Sequence, residues 1–402
     1  MHIILVADGR SPITKRWIAG LANLDYRITL VSTYPCQPIT GVASQYILPV
    51  AFGGSGGSQS SKSDKPSGIK SMLITRFRSL FLRLRYSLGP YTLPRYGRLL
   101  AGIIAEEKPD LVHAMRIPFE GMLGSFTPAE VPFAVSIWGN DLTFHSRGSR
   151  MMEKYTRRTL DRADGLLADA NRDIRLGRLA GFADDKPTLV VPGSGGVDFD
   201  LMEKAMLEES QSAAQVMREN VPIVINPRGF RPGSVRNDIF FNAIPIVLDR
   251  MPNVNFVCVA MEGQPEALKW MKELNLDQRV RLTPYLTQGQ LWNLFKIASV
   301  TVSYSSHDGT PNSLLEAMSC GCFPVVGDIE SLREWITPGV NGMLVDKESP
   351  SGLAEMILAA LNNPAGREQA AVYNKQLMLE RANTAIVRDQ IDAFYRQLIF
   401  KG

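Results

Sequence analysis

The 402-residue sequence has no apolar run approaching the roughly 18 residues needed to span a bilayer. Its apolar start, Ile3 to Ala7, is cut short by Asp8 and Arg10, which argues against a secretory signal and makes the cytoplasm the expected location. Cysteine is scarce. Cys36, Cys258, Cys320 and Cys322 match neither a disulfide framework nor the paired ligands of a zinc site, so they are expected as reduced thiols in apolar surroundings. No metal cluster is visible either. A Gly-x-Gly-x-x-Gly fingerprint is missing after the first strand, where Asp8-Gly9-Arg10-Ser11-Pro12 stands instead, and this speaks against an NAD-dependent dehydrogenase. Charge is sparse enough to exclude a disordered chain: 21% of residues are charged against 45% hydrophobic. The net charge of +4 comes from the first half, since residues 1–200 hold 25 Lys and Arg against 18 Asp and Glu. That excess is too small for nucleic acid. It suits a membrane surface or a phosphate-bearing substrate near the N-terminal domain.

What is present is an alternation of short buried strands and amphipathic helices. His2 to Ala7, a helix from Ile13 to Leu24 and a strand from Arg27 to Ser32 form a βαβ opening, and Asp110–Ala114 and Pro132–Ile137 continue it. Such alternation predicts a parallel, doubly wound sheet. At this length two domains are expected. The glycine-rich break Pro192-Gly193-Ser194-Gly195-Gly196 places the boundary near residue 195, and the same pattern restarts with strands at Val221–Asn226, Val254–Ala260, Val280–Leu282 and Val300–Ser303. A Gly/Ser stretch at about 53–68 has nothing to pack and predicts a mobile loop. Residues 70–98 follow as a basic amphipathic pattern with two equal readings, a helix lying on anionic lipid or an ordinary surface helix. Val372 to Phe400 reads as helix returning to the first domain.

The most informative stretch is the strand, loop and helix Ser305-Ser306-His307-Asp308-Gly309-Thr310-Pro311-Asn312-Ser313-Leu314-Leu315-Glu316. Gly309 permits close backbone approach to a ligand, and a helix beginning near Ser313 turns its positive end into the loop, an environment that suits a diphosphate. Ser313 and Glu316 also fit a Ser-x-x-Glu capping box, which alone accounts for both residues. Capping does not explain Asp308-Gly309-Thr310-Pro311, although a loop of that composition before a capped helix is common in α/β proteins.

Here the sequence resembles the family 4 retaining glycosyltransferases of the GT-B fold, whose mark is an acidic residue, seven intervening residues and a glutamate, as in Asp308 to Glu316. The resemblance continues through Pro324-Val325-Val326, Ser331-Leu332-Arg333-Glu334 and Asn341-Gly342, and reaches back to Gly195-Gly196-Val197-Asp198 and Gly139-Asn140-Asp141. It implies an α/β protein of two Rossmann-like domains facing across a cleft. Residues 1–195 would bind the acceptor, residues 196–384 would bind the nucleotide sugar, and 385–402 would cross back. It implies retaining transfer from a nucleotide diphosphate sugar, a UDP-sugar being the expected type, to a glycan or lipid-linked acceptor, with no cofactor beyond the donor. Glu316 would hold the ribose, Asp308 the donor sugar, and Gly309, Thr310, Pro311, Asn312 and Ser313 the diphosphate and sugar.

The family also places an arginine and a lysine on the diphosphate. Arg228 fits the first; the lysine is missing, with Arg236, or less favourably Arg231, as its substitute. Asp141 is a further candidate from the first domain, and His145 and Arg16 are acceptor-side candidates. His113 is a loop-region candidate and Trp17 is expected to pack. Two rivals share this fold, a sugar nucleotide epimerase and a noncatalytic nucleotide-sugar-binding subunit, the latter motivated by the missing lysine and by aspartate in place of the commoner glutamate.

Overall fold

The structure, a computed structural model, describes residues 1–22, 24–53, 82–209, 221–231, 234–346 and 348–400. The expected Gly/Ser loop from residue 54 on, and the basic segment over 70–81, lie outside these. The chain divides into two compact units, Met1–Gly195 with Arg388–Gly402, and Gly196–Val387.

The first unit is built on seven parallel strands: β1 (His2–Ala7), β2 (Arg27–Ser32), β3 (Ser44–Ile47), β4 (Leu111–Ala114), β5 (Phe133–Ile137), β6 (Gly165–Ala168) and β7 (Thr188–Val190). Their order is β3-β2-β1-β4-β5-β6-β7. Central strands are covered on both faces, so Ile3, Ile4, Leu5 and Val6 all read apolar and all are buried, Ile3 lying level with Ile28 and Leu111. The helix Pro12–Leu21 starts where Ser11 accepts from the Ile13 amide and Pro12 presets the first turn. It buries Thr14, Trp17, Ile18 and Leu21, one face at helical spacing.

The second unit repeats the plan with β8 (Ile223–Asn226), β9 (Asn255–Cys258), β10 (Val280–Leu282), β11 (Val300–Ser303), β12 (Phe323–Gly327) and β13 (Met343–Val345). The order is β10-β9-β8-β11-β12-β13. In both sheets the first and fourth strands are neighbours and the chain winds away in opposite directions from that pair. The loops beyond their carboxyl ends therefore part and leave a crevice, between β1 and β4 in one unit and between β8 and β11 in the other.

Two expectations are corrected. The basic segment is not one helix over 82–98: residues 82–88 are helical, a short turn spans Gly89–Thr92, and a new helix runs Leu93–Glu107. Leu93, Gly97 and Leu100 of that helix face the core, while Leu84, Leu88 and Tyr91 are exposed. Likewise Val372–Phe400 is two helices, Pro364–Arg381 and Thr384–Ile399. The break at Ala382–Asn383 has a local cause: the Val197 amide donates to the Ala382 carbonyl at 2.7 Å, and the Thr384 amide donates to Val197 at 3.1 Å. Backbone groups that would continue the helix are taken by another strand of chain. Gly196 makes this possible, with φ of 94° and a position where a Cβ would lie 2.5 Å from the Ala382 oxygen.

From Arg388 onward the last helix belongs to the first unit. Tyr395 is fully buried there, accepting from the Trp17 indole at 3.2 Å and sharing a hydrogen bond with His113 Nδ1 at 2.7 Å. His113 Nε2 shares another with Ser136 at 2.8 Å, and burial holds this imidazole down to about 3, hence neutral. His113 and Trp17 thus serve packing. All four cysteines are free, and burial pushes the Cys320 thiol up to about 12.

Candidate functional site

β8 ends in Asn226, and the loop that follows is fixed by two asparagines. The Asn226 side chain donates to Asn237 Oδ1 at 3.0 Å and accepts from the Arg228 amide at 3.1 Å, while Asn237 donates to the Gly229 carbonyl at 2.9 Å. Arg228 is thereby turned back over the strand end. Its side chain is buried and donates through Nη2 to Asp308, but its Nε finds no partner. A buried guanidinium with a donor unanswered is a group waiting for an acceptor, because leaving such a donor unpaired costs on the order of 1–3 kcal/mol.

The loop after β11 lies beside it. A bridge joins Val235 to Ser305, the Ser306 amide donates to Ser234 at 2.9 Å, and the Arg236 amide donates to Tyr304 at 2.9 Å, so the two strand-end loops are stitched edge to edge. Asp308 accepts from the Gly309 amide at 3.1 Å as well as from Arg228. Its carbonyl accepts from Ser331 at 2.9 Å, and Thr310 Oγ1 accepts from the Trp335 indole at 2.9 Å. The loop is therefore tied on both sides by hydrogen bonds of its own.

The helix Asn312–Ser319 follows with Pro311 at its N-cap and no side chain capping it. This corrects the capping-box reading of Ser313 and Glu316. Ser313 is the second helical residue, two places past the N-cap, and its hydroxyl is buried without a partner. Glu316 does not reach back to the helix start; it is buried and accepts from the Gln288 side chain at 2.8 Å. Gln288 was not singled out from the sequence. It opens the helix Gln288–Ile297, a long way along the chain from Glu316, and only the side-by-side packing of two helices brings them together.

The cations sort differently from the expectation. Arg236 is held by Asp238 at 2.8 and 3.0 Å and by Glu348, and these carboxylates raise its pKa further. Arg231 is exposed, and its pKa is lowered first by the nearby positive charge of Arg228. Two like charges facing one space are stabilised by an anion between them.

In the first unit Asp141 is corrected. It is fully buried, and its carboxylate is occupied by Arg116 at 2.6 Å and by the amides of Ile117 at 3.0 Å and Trp138 at 3.2 Å. It holds two loops and one arginine in place and presents no face to a substrate. His145 lines a cavity of about 180 Å³ beyond the ends of β1 and β4. Its Nδ1 shares a hydrogen bond of 2.5 Å with Tyr86, and burial, then Arg116, hold its pKa down to about 4. Arg16 is half-buried on its helix and does not line that cavity.

Residues 212–377 match the family described as Glycosyl transferases group 1. The chain carries a group 1 glycosyl transferase domain. Arg228, Asp308 and Glu316 all fall within this glycosyl transferase domain. Among curated relatives, the D-inositol 3-phosphate glycosyltransferase of Xylanimonas cellulosilytica is 24% identical over 281 residues, covering 67% of this chain and 63% of the relative. The alpha-maltose-1-phosphate synthase of Mycobacterium tuberculosis is 29% identical over 119 residues, 28% of this chain and 31% of the relative. The match spans only about a quarter of the D-inositol 3-phosphate glycosyltransferase 1 of Catenulispora acidiphila, 25% of its length. The fold is GT-B: sucrose-phosphate synthase from Thermosynechococcus elongatus superimposes with a TM-score of 0.74 over the full length of both chains at 16% identity. HepE of Anabaena, solved in complex with UDP-glucose, gives 0.68 over 99% of this chain and 100% of its own at 15% identity. Among the described residues no helix is long and apolar enough to cross a membrane.

Proposed function

We propose that the protein transfers a sugar, with retention at the anomeric carbon, from a nucleotide diphosphate sugar to an acceptor hydroxyl on a glycan or lipid-linked precursor. The observation that carries this reading is the buried guanidinium of Arg228, with Nε unanswered, beside an uncapped helix end at the crevice between β8 and β11. As the anomeric bond breaks, negative charge builds on the diphosphate. In this reading Arg228, Arg231 and the positive end of the Asn312–Ser319 helix stabilise it, and Arg228 and the helix end, held in place beforehand, need little reorganisation. Two arginines supply the charge that a metal ion would otherwise bring, so the scheme uses none.

Glu316, oriented by Gln288, accepts the ribose hydroxyls. Asp308 fixes Arg228 and meets the donor sugar from the same carboxylate, and Gly309 to Ser313 line the diphosphate. Arg231 takes the place of the family's lysine, because Arg236 is already neutralised by Asp238 and Glu348. The departing phosphate oxygen takes the acceptor's proton, which leaves no task for Asp141.

Calorimetric titration with UDP-glucose tests the donor site, and NMR of the product's anomeric centre tests retention. Arg228→Gln and Glu316→Ala are each expected to weaken donor binding at least about 30-fold, roughly 2 kcal/mol, with an unchanged far-UV spectrum. Binding equal to the parent in both variants would refute the site; an inverted product would refute the mechanism.

A further inference from the structure

The first unit carries a second crevice, between β1 and β4, and its lining differs from a packed interior. Arg85 and Arg116 both face the cavity, and the Nε of each is buried with no hydrogen-bond partner. The indole nitrogen of Trp138 is a third buried donor without a partner. Arg116 stacks over the Trp138 ring with 5.3 Å from guanidinium to ring centre, and Arg85 lies 4.6 Å from the Phe119 ring, so both guanidinium planes are held by aromatics. Against these three donors stands one buried unpartnered acceptor, Glu120 Oε2.

The charges do not cancel locally. Asp8, at the rim, is closed by Arg10 through bonds of 3.0 and 2.9 Å. Asp141 answers Arg116 through Nη2 alone. Arg85 has no carboxylate partner among the described residues. Burial raises the Glu120 carboxyl well above the usual range, which diminishes the negative charge it contributes. The space is small, about 180 Å³ against the roughly 300–1,000 Å³ of a drug-sized site, and suits one ring with a substituent but not a chain.

We propose that this cavity binds an anionic substituent, a phosphate or carboxylate borne on a monosaccharide-sized acceptor, through the guanidinium groups of Arg85 and Arg116 and the Trp138 indole. This rests on the reading that the second unit takes the donor, which leaves the first for the acceptor. Arg85 is the discriminating residue. Arg116 also anchors Asp141 and so has a structural role, whereas Arg85 stands on the helical segment 82–88 and has no hydrogen-bond or ion-pair partner among the described residues.

The test uses the full chain saturated with UDP, so that the second unit's arginines are occupied. Inorganic phosphate is titrated while the indole N–H signal of Trp138, assigned by Trp138→Phe, is followed by NMR; glucose 1-phosphate, glucuronate and glucose are titrated in parallel. Phosphate is expected to shift the Trp138 signal saturably. Glucose 1-phosphate or glucuronate is expected to bind about tenfold or more tightly than glucose, the stronger of the two naming the group. Arg85→Gln is expected to remove that preference and leave UDP affinity unchanged, and Arg85→Lys to restore part of it. No saturable shift, equal binding of glucose and both anions, or an Arg85→Gln protein that titrates like the parent would each overturn the proposal. Failure to bind UDP would instead count against the donor reading, and the phosphate titration would still report on the first unit.

Discussion

The two sheets share one strand order, and each crevice holds an arginine tied to an aspartate through one terminal nitrogen with its Nε left over: Arg116 with Asp141, Arg228 with Asp308. The surroundings separate them. Asp141 is sealed, with two backbone amides completing its shell, whereas the Asp308 side chain retains 17% exposure and sits one residue before a glycine. The first unit lines its interior with neutral imidazoles, His113 and His145, and the second gathers a second guanidinium, Arg231, and an uncapped helix. One topology thus yields two kinds of candidate anion site: one made of side chains and one made of side chains and a helix end. What distinguishes them is the loop after each strand, not the strand.

The largest test of this contrast is acid stability. His113 has its folded-state pKa depressed to about 3 from 6.5, so its contribution is fully present above pH 6.5 and is lost as pH falls toward 3. Between pH 7.5 and 5 this one imidazole should lower stability by about 2 kcal/mol, read as a drop in the urea midpoint. His113→Gln, less stable at pH 7.5, should show a flatter profile across that window. The same slope in both proteins would mean that the imidazole is not held neutral.

A smaller effect separates the two cations of the second unit. Arg231→Gln should weaken UDP-glucose binding about tenfold by calorimetry, and Arg236→Gln should leave it within about twofold, since the latter guanidinium is already satisfied. The reverse ranking would restore Arg236 to the lysine's place. Smallest is Gln288→Ala, which removes one hydrogen bond to Glu316 without removing the carboxylate. A few-fold rise in the dissociation constant for UDP-glucose is expected, with no change for inorganic phosphate, and an equal effect on both ligands would mean a general loosening of the helix.

Much of this was legible in advance. Arg27–Ser32, Val280–Leu282 and Val300–Ser303 are strands with the bounds that their apolar runs indicate, and Arg228 and Asp308 stand on the loops after β8 and β11, with Glu316 on the helix that follows. Less legible were features set by partners distant in sequence. The break at Ala382–Asn383 carries no proline or glycine; it exists because Val197 pairs with the chain there. Asp141 reads as a polar turn residue ready for chemistry, and only Arg116 and two amides from separate loops show its carboxylate to be fully engaged. The Ser313–Glu316 spacing matches a capping box, but the N-cap is Pro311, so the pattern is out of step by two residues.

Taken alone, the sequence determined the alternation of strands and helices, the two-sheet plan and the presence of one Asp-x7-Glu loop, because periodicity and glycine placement are properties of neighbouring residues. Tertiary structure decided which polar groups are left unanswered. Whether Arg228, Arg231, Arg236, Arg85 or Asp141 is spent or available depends on carboxylates, amides and rings brought from elsewhere in the chain, and no spacing rule carries that information.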